Sequence, residues 1–146
     1  MNVQGILGRK GNAVHTVKPT DSVTDVLGAL QEHGVGALIV SSDGSHIAGI
    51  VSERDIVRGL ARDGAGLLDN MVSRICTTTV TTCGLDDSVD ELMSLMSEKR
   101  IRHLPVTDAS GSLIGVVSIG DVVKFRLGEL ERENDQLHEY IQGNVG

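Results

Sequence analysis

Aromatic side chains are almost missing from this chain, which has no tryptophan, one phenylalanine (Phe125) and one tyrosine (Tyr140). No platform therefore exists for stacking the exposed bases of a single-stranded nucleic acid, and a planar ligand has to lie between aliphatic side chains. Cysteine is equally scarce. Cys76 and Cys83 stand alone, without the paired spacing of metal ligands, so two buried reduced thiols are expected and no metal site. Long apolar runs are lacking: Gly36–Val40 and Ile47–Val51 reach only strand length, and Met1–Gly11 has no apolar stretch of the signal-peptide kind. A soluble, cytoplasmic protein with no membrane association is the expectation. Positive charge is in deficit, with a net charge of −7 over 146 residues, which argues against nucleic acid as a partner because neutralising a phosphate backbone needs a broad basic face. A compact cationic pocket is compatible with that balance.

What the chain does contain is itself, twice. Displacement by 66 positions aligns Val14–Val57 with Val80–Val123 without a gap. Identical pairs include Val14/Val80, Thr16/Thr82, Asp21/Asp87, Ser22/Ser88, Leu38/Leu104, Val40/Val106, Gly49/Gly115, Ser52/Ser118 and Asp55/Asp121, where background composition would give about three. Each copy reads as strand, helix, two strands and helix. Val23, Val26, Leu27 and Leu30, like Val89, Leu92, Met93 and Met96, have the spacing of one apolar helix face, and Ser22 and Ser88 begin capping boxes. Two apolar runs around Ser41–Ser45 form a hairpin signal repeated around Asp108–Ser112, with Pro105 in place of Ile39, as suits a strand start or edge. Strands apolar along their whole length must be covered on both faces, by helices and by the other repeat. The apolar Gly64–Thr79 region between the copies reads as a short packed helix.

Each repeat ends with a strand running straight into a helix through Ser-x-x-Asp: Ser52-Glu53-Arg54-Asp55 and Ser118-Ile119-Gly120-Asp121. One reading is a plain helix cap. The other is a ligand site, since unpaired helix amides, the positive dipole end and a carboxylate then meet at the carboxyl edge of a sheet, where the carboxylate can accept hydrogen bonds from ribose hydroxyls. Lys99-Arg100-Ile101-Arg102-His103 is a cationic patch in an acidic chain, either a solvated helix end or a phosphate clamp to which Arg54 and Arg58 add. Gly34-x-Gly36 is not a dinucleotide fingerprint, because Ile39 fills the third glycine position. His15, His33, His46, His103 and His138 fall in no metal-binding or catalytic spacing, and no nucleophile stands beside a base. Neither catalytic residues nor enzymatic activity are expected.

The repeat, its Val-Ser-x-x-Asp endings and Arg102-His103-Leu104-Pro105-Val106 resemble a CBS domain pair over residues 3–126, with particular similarity to small stand-alone bacterial proteins of that family. The resemblance implies an α/β (α+β) fold of two pseudo-twofold-related repeats packed sheet to sheet, with residues 1–62 as repeat 1, 63–79 as connection, 80–126 as repeat 2 and 127–146 as a helical tail. It also implies a regulatory module that binds adenosine-type ligands (AMP, ADP, ATP, NAD or S-adenosylmethionine), requires no cofactor and acts on a separate protein target. On the family pattern, Ser118, Gly120 and Asp121 would work with Thr16, Val17, Val35, Gly36 and Ala37. Ser52, Arg54 and Asp55 would work with Thr82, Cys83, Ile101, Arg102 and His103, with Arg102 near the phosphates of either site. A homodimer is expected, through helical faces carrying Val26, Leu30, Leu92 and Met96 and through a tail heptad of Val123, Leu127, Leu130, Asn134, Leu137 and Ile141. The competing possibility is an interaction module that binds no ligand.

Overall fold

Ser22 and Ser88 each open a helix in the computed structural model, which describes residues 1–11 and 13–145. Helix α2 (Val23–His33) carries a complete capping box between Ser22 and Asp25, and in α4 (Val89–Lys99) the Ser88 hydroxyl accepts from the Glu91 amide. Their apolar stripes turn onto the sheets of their own repeats, so Val26, Leu30, Leu92 and Met96 are all buried. This corrects the expected dimer face: those four residues are already covered within the chain, and Leu27 and Met93 are the exposed apolar residues of the two helices.

Strand β1 (Thr16–Val17) lies parallel to β2 (Ala37–Val40), which pairs antiparallel with β3 (Gly49–Ser52). In the second repeat β4 (His103–Thr107) pairs antiparallel with β5 (Leu113–Ser118), but the first strand shrinks to a bridge between Cys83 and Val106. Pro105 supplies the reason. Its counterpart Ile39 faces Thr16 in a parallel ladder, a pairing that uses the Ile39 amide, and proline has no amide to offer. Pro105 thus occupies the middle of β4 and leaves only the Cys83–Thr107 end of that ladder intact, where the Cys83 amide donates to Pro105 O at 3.0 Å and the Thr107 amide to Cys83 O at 2.9 Å.

The two repeats pack sheet to sheet, and each is completed by the segment that precedes the other. Helix α1 (Val3–Lys10) buries Val3, Ile6 and Leu7 among Val89, Leu92, Val117 and Phe125 of the second repeat. The connection forms two short 3₁₀ helices, Ala65–Asp69 and Val72–Arg74, which bury Leu67 and Val72 against the first repeat. The two crossings match bond for bond. The Val3 amide donates to Asp87 O and the Val89 amide to Met1 O, while the Val72 amide donates to Asp21 O and the Val23 amide to Asn70 O. Residues 1–10 therefore belong physically with the second repeat, not with the first as their place in sequence suggests. The rest of the chain follows as α3 (Glu53–Asp63) and one continuous helix, α5 (Ile119–Val145), that joins the end of repeat 2 to the tail. Val123, Leu127, Leu130, Leu137 and Ile141 are exposed along α5. No helix among the described residues is long and apolar enough to cross a membrane.

The crossings press on two equivalent glycines. A Cβ on Gly49 would stand 2.8 Å from Thr77 O and 2.9 Å from Cys76 Sγ, and one on Gly115 would stand 3.0 Å from the Leu7 methyls. Backbone cannot step aside as a leucine rotamer can. Gly49→Ala is expected to lose about 2–3 kcal/mol in urea denaturation and Gly115→Ala about 1 kcal/mol. Equal losses, or none at Gly49, would contradict this packing.

Candidate functional site

Both Ser-x-x-Asp endings form caps. Strand β3 passes into α3 with Ser52 as N-cap, and Asp55 Oδ2 accepts from the Ser52 amide at 2.8 Å and from its hydroxyl at 3.1 Å. At the β5–α5 junction Asp121 Oδ2 accepts from the Ser118 amide at 2.9 Å, and Ser118 Oγ accepts from the Asp121 amide at 3.1 Å. Among the described residues, nothing donates to Oδ1 of either aspartate. One oxygen of each carboxylate builds the helix end, the other makes no hydrogen bond among the described residues, and Asp55 and Asp121 each line a cleft.

The opposite walls come from the turns after α2 and α4. Glu53 N–H donates to Gly36 O at 3.0 Å, and Ile119 N–H to Arg102 O at 2.8 Å, which ties each helix start to the pre-strand segment of its own repeat, and the pre-strand segment of the other repeat faces it across the cleft. His103 stands at the centre, its Cε1 3.5 Å from where a Cβ on Gly36 would lie, and it lines a cleft on either side.

The first cleft has a volume of about 680 Å³ and is lined by Ser52, Arg54 and Asp55 together with Ile101, Arg102 and His103. Gly36 and Ala37 also reach it. Ile50, Val80 and Ile101 give it aliphatic walls, and Arg54, Arg58, Lys99, Arg100 and Arg102 supply its positive charge. Arg100 holds φ 55° at the end of α4, where the equivalent Gly34 holds φ 62° at the end of α2. The second cleft, about 410 Å³, contains Ser118 and Asp121 with Val35, Gly36, Ala37, His15 and His103.

Five expected residues are absent from these linings. Thr16, Val17, Thr82 and Cys83 lie one step too far along the chain: Val17 and Cys83 turn into the two cores, and it is Ala13 and His15, or Thr79, Val80 and Thr81, that face the clefts. Gly120 sits in the first turn of α5 beside Ser118 but does not form a wall, and Arg102 lines only the first cleft. Burial raises the Cys83 thiol to about 12, with Asp87 adding to the effect, and Cys76, only half-buried, is raised by its own burial.

Lys10 carries no motif that sequence reading could flag. From the last turn of α1 its Nζ reaches Asp121 Oδ2 and Val116 O, both at 2.6 Å, and it lines the second cleft. Burial would raise the Asp121 carboxyl, but hydrogen bonds from Lys10 and Ser118 outweigh it and hold the group below the usual carboxylate range.

Two repeats, two caps and two clefts define a tandem two-repeat module, and the chain belongs to the CBS domain family, whose model matches residues 11–62 and 72–128. It is 39% identical to the mitochondrial CBS domain-containing protein CBSX3 of Arabidopsis thaliana over 84% of this chain, and spans 61% of that relative's length. Among solved structures, a CBS-domain protein of Agrobacterium tumefaciens has a TM-score of 0.83 at 40% identity, over 86% of this chain and 99% of the other. A CBS domain protein of Pyrobaculum aerophilum complexed with AMP has a TM-score of 0.74 at 26% identity, over 83% of this chain and 89% of the other.

Burial and then the Lys10 charge depress the His103 imidazole below its ordinary 6.5, against the pull of Asp121 and Glu53. Between 6.5 and that lowered value the unfolded chain binds a proton that the folded chain refuses, so this contribution to stability is complete above 6.5 and is lost as pH falls through the window. Thermal denaturation from about pH 7.5 to about pH 5.5 should show Tm falling, with a flatter profile for His103→Gln. An unchanged slope in the variant would assign the effect to other groups.

Proposed function

We propose that the chain is a regulatory module that senses an adenosine-type nucleotide in its first cleft and passes the signal to a separate protein partner. The observation that carries this is the meeting, in one cleft, of a carboxylate oxygen free of cap bonds at a helix N-terminus, aliphatic walls and five cationic side chains. Asp55 Oδ1 suits a vicinal diol, Ile50, Val80 and Ile101 suit a base in a chain without aromatic platforms, and Arg54, Arg58, Lys99, Arg100 and Arg102 suit phosphates. The AMP complex of the Pyrobaculum aerophilum relative supports the choice of ligand class. AMP, ADP, ATP, NAD and S-adenosylmethionine all belong to that class, and the strong positive charge favours the phosphorylated members.

Thermal-shift and calorimetric titration with these ligands test the proposal. At least one should raise Tm. Asp55→Ala should then weaken it by about 1.5–3 kcal/mol while the protein stays folded, and Arg102→Ala should weaken AMP far more than adenosine. No stabilisation by any of the five would overturn the sensing role, and equal losses for AMP and adenosine would overturn the phosphate contact.

The exposed stripe of α5 favours a second role alongside the first, pairing with another copy of the chain. Asn134 lies in register with that stripe at an a-type position, which selects a two-stranded state at some cost in stability. Truncation after Phe125 is expected to weaken the dimer in sedimentation equilibrium. A full-length chain that is monomeric at micromolar concentration would refute the pairing.

A further inference from the structure

Besides their different charged turns, the two clefts differ at one backbone carbonyl. In the first repeat the carbonyl of Ile50 accepts from the Thr77 amide at 2.9 Å, because the crossing segment there runs extended beside β3. In the second repeat the equivalent carbonyl, that of Val116, accepts from Lys10 Nζ, because the crossing segment is a helix with no backbone amide to offer. The matched bonds of the crossings relate Val3 to Val72, an offset of 69, whereas the repeats themselves are offset by 66. The first crossing segment is thus three residues longer before its repeat begins, and the extra length extends α1 to Lys10 at the mouth of the second cleft. By the same offset Thr79 holds the corresponding place in the first cleft, where it carries no charge.

We propose that Lys10 is the specificity-determining residue of the second cleft, restricting it to nucleosides that carry an anionic group such as a phosphate. The proposal rests on the reading that the Ser-x-x-Asp endings receive ribose. The Lys10 ammonium is paired with Asp121 at 2.6 Å and its side chain is 34% exposed, so it is neither sealed in nor free in solvent. A neutral nucleoside that places its diol at Oδ1 of Asp121 meets a carboxylate whose charge the Lys10 ammonium already offsets at Oδ2, and it brings no anion of its own. A phosphorylated one gives the ammonium a second anion within reach of its flexible stem and leaves Asp121 a stronger acceptor for the sugar. The backbone that carries Lys10 does not need to move. Ile6 and Leu7 are buried in the second repeat, and the Arg9 guanidinium lies 5.4 Å from the centre of the Phe125 ring. Selectivity in the first cleft comes from several arginines, and in the second from this lysine.

Calorimetry on the full chain with Asp55→Ala and Arg102→Ala together, which weaken the first cleft at both its sugar and its phosphate contacts, gives the test. With Lys10 present AMP should bind about tenfold or more tighter than adenosine. Lys10→Gln, which keeps a donor for Val116 O but loses the charge, should gain adenosine affinity and lose AMP affinity until the two are nearly equal. Lys10→Arg should retain the preference. An AMP-to-adenosine ratio that is the same in Lys10 and Lys10→Gln proteins overturns the proposal and leaves the ribose assignment standing. Absence of binding by either ligand in every variant at millimolar concentration overturns the ribose assignment at Asp121, and the proposal with it.

Discussion

Every feature of the two clefts depends on the exchange of crossing segments between the repeats. Val3 and Val72 donate into the opposite repeat just before its first capped helix, at Asp87 O and Asp21 O, and Val89 and Val23 return the bond. These four bonds fix where each first helix begins. Behind them Leu7 lies on Gly115 and Cys76 on Gly49, so the last strand of each repeat is held flat against its crossing segment. That strand is the one that ends in Ser-x-x-Asp. A glycine without Cβ in the strand is therefore the condition for placing the carboxylate correctly a few residues later.

On this nearly symmetric frame, charge is distributed asymmetrically. The turn after α2 is Gly34-Val35-Gly36-Ala37 and the turn after α4 is Arg100-Ile101-Arg102-His103, with the same left-handed backbone at the first residue of each. A side chain in that conformation costs about 1–2 kcal/mol relative to glycine. Arg100 is the only residue other than glycine with positive φ among the described residues, and it lines the cleft richest in cations. The second repeat keeps a strained arginine where the first repeat shows that glycine serves the fold. Fold requirements alone do not explain that choice, whereas a need for positive charge at the first cleft does.

Much of this architecture was legible because it obeys short-range rules. The apolar spacing of Val23, Val26 and Leu30, the capping boxes and the turn at Asp43-Gly44 all translate directly into α2 and the β2–β3 hairpin. The repeat located both Ser-x-x-Asp junctions. Illegible features were those that depend on a change of offset: α1 matches the connection at 69, not 66, and so disappears from a search for one fixed period. Likeness to the family points to Thr82 and Cys83 in the first cleft, but Cys83 turns into the core of the second repeat and the irregular segment before it, Thr79, Val80 and Thr81, reaches the cavity instead. Lys10 had no signal at all, since its partners Val116 and Asp121 lie more than a hundred positions away.

A cap and a ligand site are usually weighed as rival explanations of Ser-x-x-Asp, and here the geometry makes the two compatible. Asp55 and Asp121 use Oδ2 for the cap, and the remaining oxygen takes no part in the bonds that hold the helix. Capping orients the carboxylate and fixes its rotamer, so a diol arriving at Oδ1 meets an acceptor that loses little further freedom on binding. The same two residues at Ser22 and Asp25 form an equally complete cap, yet neither lines a cleft. What separates the two cases is the wall opposite: Ile101, Arg102 and His103 stand across a cavity from the start of α3, and Val35, Gly36 and Ala37 across one from the start of α5, whereas the start of α2 meets the crossing segment at Asn70. The motif supplies the acceptor, and the pseudo-twofold packing of the two repeats sets a cavity in front of it.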